Sequence, residues 1–542
     1  MGSVMNFRHV IRSLNDRFGP VLGKMPRYIG PAVTAALAAT SFFLLKNGVS
    51  AITSTLILLS GLCAVVFCGW KGRFWYLFIL GVTCCFERHF IIHYGDGFHA
   101  IGAQALITMH ITDVDEIKSY LSVFRFAELL LLLLFVAGCM LEAAFKSPPL
   151  CGPGIRRPLS IAGRAAAPLL LFAAGGADVA PPVFEHLENW GSQRDFYIAR
   201  RDFKFHAVSR APDAPLFCLL VIGESHRKDE FDRLALGEHG HAPALCEARK
   251  RGVLYEFDDM ITHYQQTWFS VFTLLTRRGE DGKNVLWPEK GLFSLFREAG
   301  FHTVFLTYQK KTPENLGYNY VVNEADDYID HRDFSGTKFD QGMLPLLARL
   351  MSSPAPRQFV VIKMVGVHFH YVSRYPGNFR MYTPCYDGKV KQYEIADRVK
   401  LVNTYRNAMA FSAAFLDEAV KMIERHPQPA VMVFLSDHGV INYDDGKNVF
   451  FGGARSNFHI PCVIYGNDAF RKRMPPEYDR ALRKNRFLPI TNSYIFDTVA
   501  SLAGIDYPGK RSEMDLTSDR ARPAADRMVW VWNNLTRYDR LP

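Results

Sequence analysis

Leu219-Leu220-Val221-Ile222-Gly223-Glu224-Ser225 and, far downstream, Val431-Met432-Val433-Phe434-Leu435-Ser436-Asp437-His438-Gly439 are the stretches on which the reading of this chain turns. Each is a short apolar, strand-like run that ends abruptly in side chains able to hold a metal. In an open parallel sheet the carboxyl ends of the strands line the crevice where ligands bind, so two distant strand ends can contribute to one site. That site would contain Glu224, Asp437 and His438, a donor set suited to a divalent cation, zinc above all. Asp437 and His438 are adjacent, and both reach one ion only if the backbone turns after them, which Gly439 permits.

The surroundings of the two runs support the same architecture. From Pro215 onward, short apolar runs at Thr303–Thr307, Gln358–Met364, Val431–Leu435 and Pro461–Tyr465 alternate with helical patterns at Gly291–Ala299, Met343–Met351 and Val402–Arg425. Such alternation predicts an α/β domain with a central, mostly parallel sheet wrapped by helices. Thr267 stands in Tyr264-Gln265-Gln266-Thr267, just ahead of the helical pattern Trp268–Leu275. A threonine there is an ordinary N-cap. It is equally a candidate nucleophile, since backbone N–H groups at a helix start bind phosphate and a metal lowers the pKa of a hydroxyl. Ser225 and Thr262 are the alternative nucleophiles. His368, in Gly366-Val367-His368-Phe369-His370-Tyr371, and His459, in Phe458-His459-Ile460-Pro461, flank the same crevice and are expected in the substrate site, ahead of His370.

The first part of the 542-residue chain has a different character. Apolar stretches at residues 29–45, 51–70, 74–92 and 127–145, with a weaker one at 161–179, approach the roughly 20 residues that cross a bilayer. Arg8, Arg12, Arg17, Lys24 and Arg27 precede the first, Lys71 and Arg73 separate the second from the third, and Lys146, Arg156 and Arg157 separate the fourth from the fifth. With all five as spans these segments share one side, which the positive-inside rule makes cytoplasmic, so residues beyond about 183 lie outside the cytoplasm. The expected organisation is a transmembrane domain at 1–182, an interfacial linker at 183–214 and a catalytic domain at 215–542. Aromatic and basic residues mixed between Trp190 and Arg210 suit either a segment lying on a bilayer surface or a plain linker.

The formal charge of +10 is concentrated beside the spans, where topology accounts for it, and no aromatic-basic nucleic-acid module is present. Of ten cysteines, Cys218, Cys246, Cys385 and Cys462 fall in the exported half. Cys218 and Cys462 sit in apolar runs as core residues would, and no Cys-x-x-Cys pair points to thiolate zinc or redox chemistry.

Taken in order, Ile111-Thr112-Asp113-Val114-Asp115-Glu116, Gly223-Glu224-Ser225, the Thr267 region, His368 before Arg374-Tyr375-Pro376, Thr383-Pro384-Cys385, Ser436-Asp437-His438-Gly439 and His459-Ile460-Pro461 resemble the membrane-bound phosphoethanolamine transferases of Gram-negative bacteria, members of the alkaline phosphatase superfamily with a sulfatase-like catalytic domain. The resemblance implies zinc ligands Glu224, Asp437 and His438, with Thr267 as fourth ligand and nucleophile. It implies substrate-site roles for His368 and His459, and one zinc ion or two. It further implies an inner-membrane enzyme with its catalytic domain in the periplasm, moving phosphoethanolamine from phosphatidylethanolamine to lipid A, core oligosaccharide or another envelope glycan. The chain departs from the pattern where Val440 replaces the usual Glu after Asp-His-Gly, where Trp268, Phe269 and Thr273 replace small residues and Cys, and where Val402–Asn407 stands for an Asn-rich motif; the usual disulfide framework is missing cysteines. A phosphoglycerol transferase or lipid phosphodiesterase would share the metal core, and a metal-free scaffold or sensor would not need it. A sulfatase activity finds no Cys-x-Pro-x-Arg or Ser-x-Pro-x-Arg from which to make an aldehyde nucleophile.

Overall fold

The computed structural model describes residues 28–45, 51–94, 126–151, 158–171, 173, 200–238, 240–279, 287–309, 318–330, 337–353, 355–388, 393–531 and 534–542. The chain forms two compact units, Met1–Glu188 and Asn189–Pro542.

The first unit is helical. Helices α1 (Ile29–Leu45), α2 (Ala51–Phe67), α3 (Trp70–Tyr94) and α4 (Phe126–Phe145) fall on the first four apolar stretches, and helical residues 158–171 overlap the start of the fifth. Gly138 allows a close crossing, since a Cβ there would lie 2.5 Å from Leu37 Cδ1. Leu58, Leu62, Trp75, Phe78, Leu133 and Leu169 are exposed. The polar groups go inside instead. Arg73, expected as a loop charge, lies within α3 and is fully buried, with Nε 2.6 Å from Glu142 Oε1. Thr34 donates to the same oxygen at 2.8 Å, and the Arg73 guanidinium also donates to the carbonyls of Cys68, Ser147 and Pro148 at the helix ends. A guanidinium has donors enough to satisfy several unpaired carbonyls at once, which draws it inward. Among the described residues, no helix is long and apolar enough to cross a membrane. The Ile111–Glu116 segment and most of residues 172–199 lie outside the described residues.

In the second unit, strands β1 (Leu216–Gly223), β2 (Leu254–Glu256), β4 (His302–Thr307), β5 (Asp327–Ile329), β6 (Arg357–Lys363), β7 (Ala430–Ser436) and β9 (Cys462–Gly466) form one sheet. Its order is β2-β9-β7-β1-β6-β4-β5. β9 alone runs against the other six strands, so the expected mostly parallel sheet is mixed at one edge. A smaller sheet joins β3 (Met260–Ile261), β8 (His459–Ile460) and β10 (Ile490–Thr491).

Strand alternation gives the sheet two apolar faces. Phe217, Leu219 and Val221 of β1 share a core with residues of α5 (Lys228–Leu234), α6 (Pro243–Lys250), α9 (Leu344–Met351) and the long α10 (Arg398–Arg425). Phe359, the register partner of Cys218, instead stacks on Phe296 of α8 (Leu292–Glu298) with ring centroids 3.8 Å apart. Cys218 and Cys462 are buried strand residues, and all ten cysteines are free thiols. Residues 200–214 of the expected linker belong to this unit, with Arg200 and Phe205 both buried in it.

The register fixes what meets at the carboxyl edge. Gly223 of β1 pairs with Ser436 of β7, and Ile222 pairs with Lys363 of β6. The next residues along these three adjacent strands therefore emerge side by side.

Candidate metal centre

Glu224, Asp437 and His438 follow those strand ends, and each offers one ligand atom within 4.8 Å of the others, the one such group among the described residues. All three are buried. Backbone pairing continues past the strands and sets their positions: Asp437 N donates to Gly223 O at 3.1 Å and Val367 N donates to Glu224 O at 3.0 Å. The β6 exit passes so close that Gly366, at φ +49°, has no room for a side chain; a Cβ there would lie 2.9 Å from Glu224 O. Gly439 serves differently from the turn expected of it. Its φ is not positive, and a Cβ would fall 2.0 Å from Ser456 O, so close approach is what requires glycine. Ser225 takes the left-handed backbone (φ 63°) directly after Glu224, localising strain at the site.

The carboxylates divide their oxygens by task. Asp437 Oδ1 accepts from Ser225 N at 3.0 Å and His438 N at 2.7 Å, which locks the side chain, while buried Oδ2 has no hydrogen-bond partner. His438 Nδ1 lies 2.8 Å from Gly439 O, a contact that fixes the tautomer with Nε2 free to face the cluster. An orphaned carboxylate oxygen, an imidazole nitrogen and a second carboxylate, converging in a buried pocket, fit a tetrahedral zinc ion, with one ligand still to come.

Thr267 lies against this cluster. It is the first residue of α7 (Thr267–Leu275), whose N-cap is Gln266 without a side-chain capping bond. Its hydroxyl is thus not used as a cap: Oγ1 donates to Glu224 Oε2 at 3.0 Å and lies 3.2 Å from His438 Nε2. Thr267 is half-buried where the other three are buried, so it forms the accessible side of the cluster. The alternative hydroxyls are occupied. Ser225 Oγ donates to Glu224 Oε1 at 2.8 Å, and buried Thr262 bonds Ser270 Oγ at 2.7 Å. Ser270 in turn donates to Asp437 O, tying α7 to the β7 exit.

A fourth charged group stands among them. Lys363, the last residue of β6, is fully buried, with Nζ 2.7 Å from Glu224 Oε2, 3.1 Å from Asp437 Oδ2 without hydrogen-bonding alignment, and 3.2 Å from Met364 O. The electrostatics follow from this crowding. Burial pushes Glu224 up, but Lys363 and His438 outweigh it and hold the carboxyl well below its usual range. Burial and the neighbouring Glu224 charge raise Asp437. Burial would lower His438, but Asp437 and Glu224 raise the imidazole to about 9.

His368 lies on the β6 exit loop with Nδ1 2.5 Å from Phe369 O; burial lowers its imidazole to about 4 against the pull of Glu224. Its loop is held by Arg374 Nε on His368 O at 2.8 Å and by buried Asp340, which accepts from Val365 N and Gly366 N at 2.9 and 2.8 Å. His370 is bonded to Tyr393 Oη at 2.8 Å. His459 has its Nε2 3.2 Å from Asp258 O and 3.9 Å from Asp259 Oδ1, and it makes no contact with the carboxylate cluster. Val440 is buried in the apolar core and brings no donor to the site.

Sequence reasoning passed over Lys363, Asp340 and Tyr405. Tyr405, on α10, donates to Ser225 O at 2.9 Å and accepts from Arg227 N at 3.0 Å, so the Val402–Asn407 motif anchors the β1 exit. Its Asn407 Oδ1 accepts from Met381 N and Tyr382 N, clamping a second loop. Lys363 had a usable signal: a lysine closing an apolar run is almost never buried unless it is paired.

The profile of the sulfatase family matches residues 217–505, more than half of the chain and all of the strand ends just described. This chain belongs to the sulfatase family. Among curated proteins it is 22% identical over 348 residues to the phosphoethanolamine transferase CptA of Salmonella typhimurium, covering 61% of this chain and 58% of that protein. It is 22% identical over 346 residues to the phosphoethanolamine transferase EptC of Escherichia coli K12, covering 60% and 58%. The chain thus spans under two thirds of the length of these relatives. The integral membrane protein EptA of Neisseria meningitidis, a lipooligosaccharide phosphoethanolamine transferase, superposes with a TM-score of 0.62 at 16% identity, over 91% of this chain and 99% of that one. The zinc complex of the periplasmic domain of E. coli EptC gives 0.54 at 19% identity, over 62% and 96%. The resemblance read from the sequence motifs is therefore borne out by this set of relatives.

Proposed function

We propose that this sulfatase-family chain is a phosphoethanolamine transferase that takes the head group of phosphatidylethanolamine onto Thr267 and passes it to lipid A, core oligosaccharide or another envelope glycan. The observation that carries this reading is the hydroxyl of half-buried Thr267, at a helix start and held on Glu224 and His438. Zinc bound by Glu224, Asp437 and His438 with Thr267 would lower the hydroxyl pKa and offset charge on the phosphoryl oxygens.

The chain's own groups then divide the work. Thr267 Oγ1 attacks phosphorus, the bond from phosphorus to the glycerol oxygen breaks, and diacylglycerol leaves with the proton that Thr267 gives up. The N-terminal amides of α7 face the transferring group and favour its negative charge. An acceptor oxygen attacks the resulting ester and restores the threonine. His368 is neutral at physiological pH, because burial holds its imidazole near 4, so it suits accepting the acceptor's proton better than donating one to diacylglycerol. His459 belongs at the rim on this reading.

The helical unit, with apolar side chains outward and Arg73–Glu142 inward, is read as the five-span bilayer anchor, which brings a lipid donor to a periplasmic catalytic domain. The similarity to membrane-bound phosphoethanolamine transferases supports that assignment. Mass spectrometry of lipid A, core oligosaccharide and periplasmic glucans, with and without the protein, is the test. A gain of a single phosphoethanolamine unit on one of them is expected, together with the same unit on the peptide containing Thr267. A phosphoglycerol adduct on that peptide would replace the proposed donor; unaltered glycans and an unmodified peptide would defeat the reading.

A further inference from the structure

We infer that Lys363 is a built-in counter-ion that occupies the carboxylate oxygens of the metal centre when no metal is there, and that it is displaced when zinc binds. The inference rests on the zinc reading given above and concerns this chain's own residue.

The geometry is specific. The ammonium approaches Glu224 Oε2 at 2.7 Å and Asp437 Oδ2 at 3.1 Å, and both side-chain partners and Lys363 are completely shielded from solvent. Asp437 Oδ2 is the oxygen left without a hydrogen bond, hence the one a metal would take. Glu224 Oε2 also receives Thr267 Oγ1 at 3.0 Å, so the ammonium shares an oxygen with the nucleophile. A strongly hydrated ammonium is costly to bury, and here the gain comes from two carboxylates that would otherwise face each other unneutralised. A ligating cation needs those same two oxygens. Ammonium and zinc in this pocket therefore compete, both for lone pairs and through repulsion of like charges at short range. Displacement falls to the four-carbon stem, because the β6 backbone is fixed by pairing on both sides. The consequence is a site that stays formed without metal, holds zinc less tightly than its ligands alone would, and has no need of a second cation beside Glu224 and Asp437.

The test uses the full chain in detergent micelles, stripped with a chelator and titrated with zinc against a chromogenic competitor, with bound metal counted by mass spectrometry. Lys363→Met keeps the length of the stem without charge, and Lys363→Gln keeps a hydrogen-bond donor without charge. Both are expected to bind zinc roughly tenfold or more tightly than the unsubstituted chain. Their stripped forms should lose more thermal stability than their loaded forms. Equal or weaker zinc affinity in both variants would overturn the inference and make Lys363 a support for the ligands. Zinc binding only by the variants would uphold it while removing the zinc-dependent function from the unsubstituted chain. Binding by none of the three would end both. Should neither variant fold, the zinc-loaded structure of the unsubstituted chain decides: Nζ beyond hydrogen-bonding reach of Glu224 or Asp437 upholds displacement, and both contacts unchanged beside bound zinc refutes it.

Discussion

In each unit a fully buried cation meets carboxylate, Arg73 in the first and Lys363 in the second, and the two clusters are built to opposite ends. In the helical unit, Arg73 gives Nε to Glu142 and its remaining nitrogens to the carbonyls of Cys68, Ser147 and Pro148. It ties α3 to α4 and to the segments at their ends, and Thr34 completes the contact. In the second unit, Lys363 meets Glu224 and Asp437 beside the hydroxyl of half-buried Thr267 and a carboxylate oxygen without a hydrogen bond. A forked, fully engaged guanidinium makes a staple. A point-charge ammonium over two strand-end carboxylates makes a site that can exchange its cation. The same arithmetic of buried charge thus yields a structural pair in one place and a reactive centre in the other.

The largest expected effect breaks the reactive member of the comparison. Thr267→Ala removes the atom that is to carry the head group, and transfer should fall on the order of 10⁴-fold or more, read as phosphoethanolamine incorporated per protein. Zinc content by elemental analysis should remain near that of the unsubstituted chain, because three ligands persist. Full activity in this variant would refute the nucleophile assignment. Asp437→Asn should do the reverse, losing most of the zinc first.

The structural member responds differently. Arg73→Met strands Glu142 without its partner, and the cost expected for breaking a buried pair is about 3 kcal/mol, seen as a lower unfolding temperature of the helical unit in micelles. The double substitution Arg73→Met with Glu142→Met should recover most of that loss. Zinc affinity at the second unit should change in neither. A double variant as unstable as the single one would show that the carbonyl contacts, not the ion pair, hold the helix ends.

Much of this was readable in the sequence, for physical reasons that differ between residues. Val431–Leu435 and Leu219–Ile222 are buried on both faces, so their unbroken apolarity marked them as strands of a parallel sheet whose ends could share one site; their adjacency is seen only in the register. The reversed direction of β9 was not readable, because a five-residue buried strand has the same composition either way. Thr267 remained undecided between cap and nucleophile, since residue type and helix start fit both. The direction of its side chain, toward Glu224 rather than a backbone amide, decides its contacts. Arg73 looked like a loop charge because it flanks an apolar run, and only the crossing of α3 with α4 gives it Glu142. His459 was expected beside the crevice because it begins a strand-like run; its Nε2 faces Asp258 O and Asp259, on a segment whose pairing could not be deduced from spacing.

A proton-linked difference sharpens the comparison further. His438 is raised to about 9 by Asp437 and Glu224, above its ordinary value of 6.5. In the metal-free protein this stabilisation is fully present below about 6.5 and is lost as pH rises through about 9. Zinc needs the deprotonated ring, so its affinity should move the other way, weakening roughly tenfold per unit as pH drops below the folded value. Thermal scans of stripped and loaded protein should therefore diverge with rising pH. Parallel curves would mean that His438 is not a ligand.

The smallest expected effect tests how far the reactive centre depends on its scaffold. Tyr405→Phe removes one hydroxyl, leaving Ser225 O without its donor at 2.9 Å and Arg227 N without its acceptor at 3.0 Å, both just beyond Glu224. The buried backbone groups so exposed cost about 1 to 3 kcal/mol in stability. If the hydroxyl only stabilises the fold, transfer per folded molecule stays unchanged. A positioning role predicts more: Ser225 lies between Glu224 and the Tyr405 contact, so loosening it lets the Glu224 carboxylate wander, lowering kcat several-fold with KM for the lipid donor nearly constant. Zinc affinity should weaken in step, because the same carboxylate is a ligand. A drop in kcat with unaltered zinc affinity would separate the two roles and assign the Tyr405 contact to Thr267 and α7 rather than to Glu224.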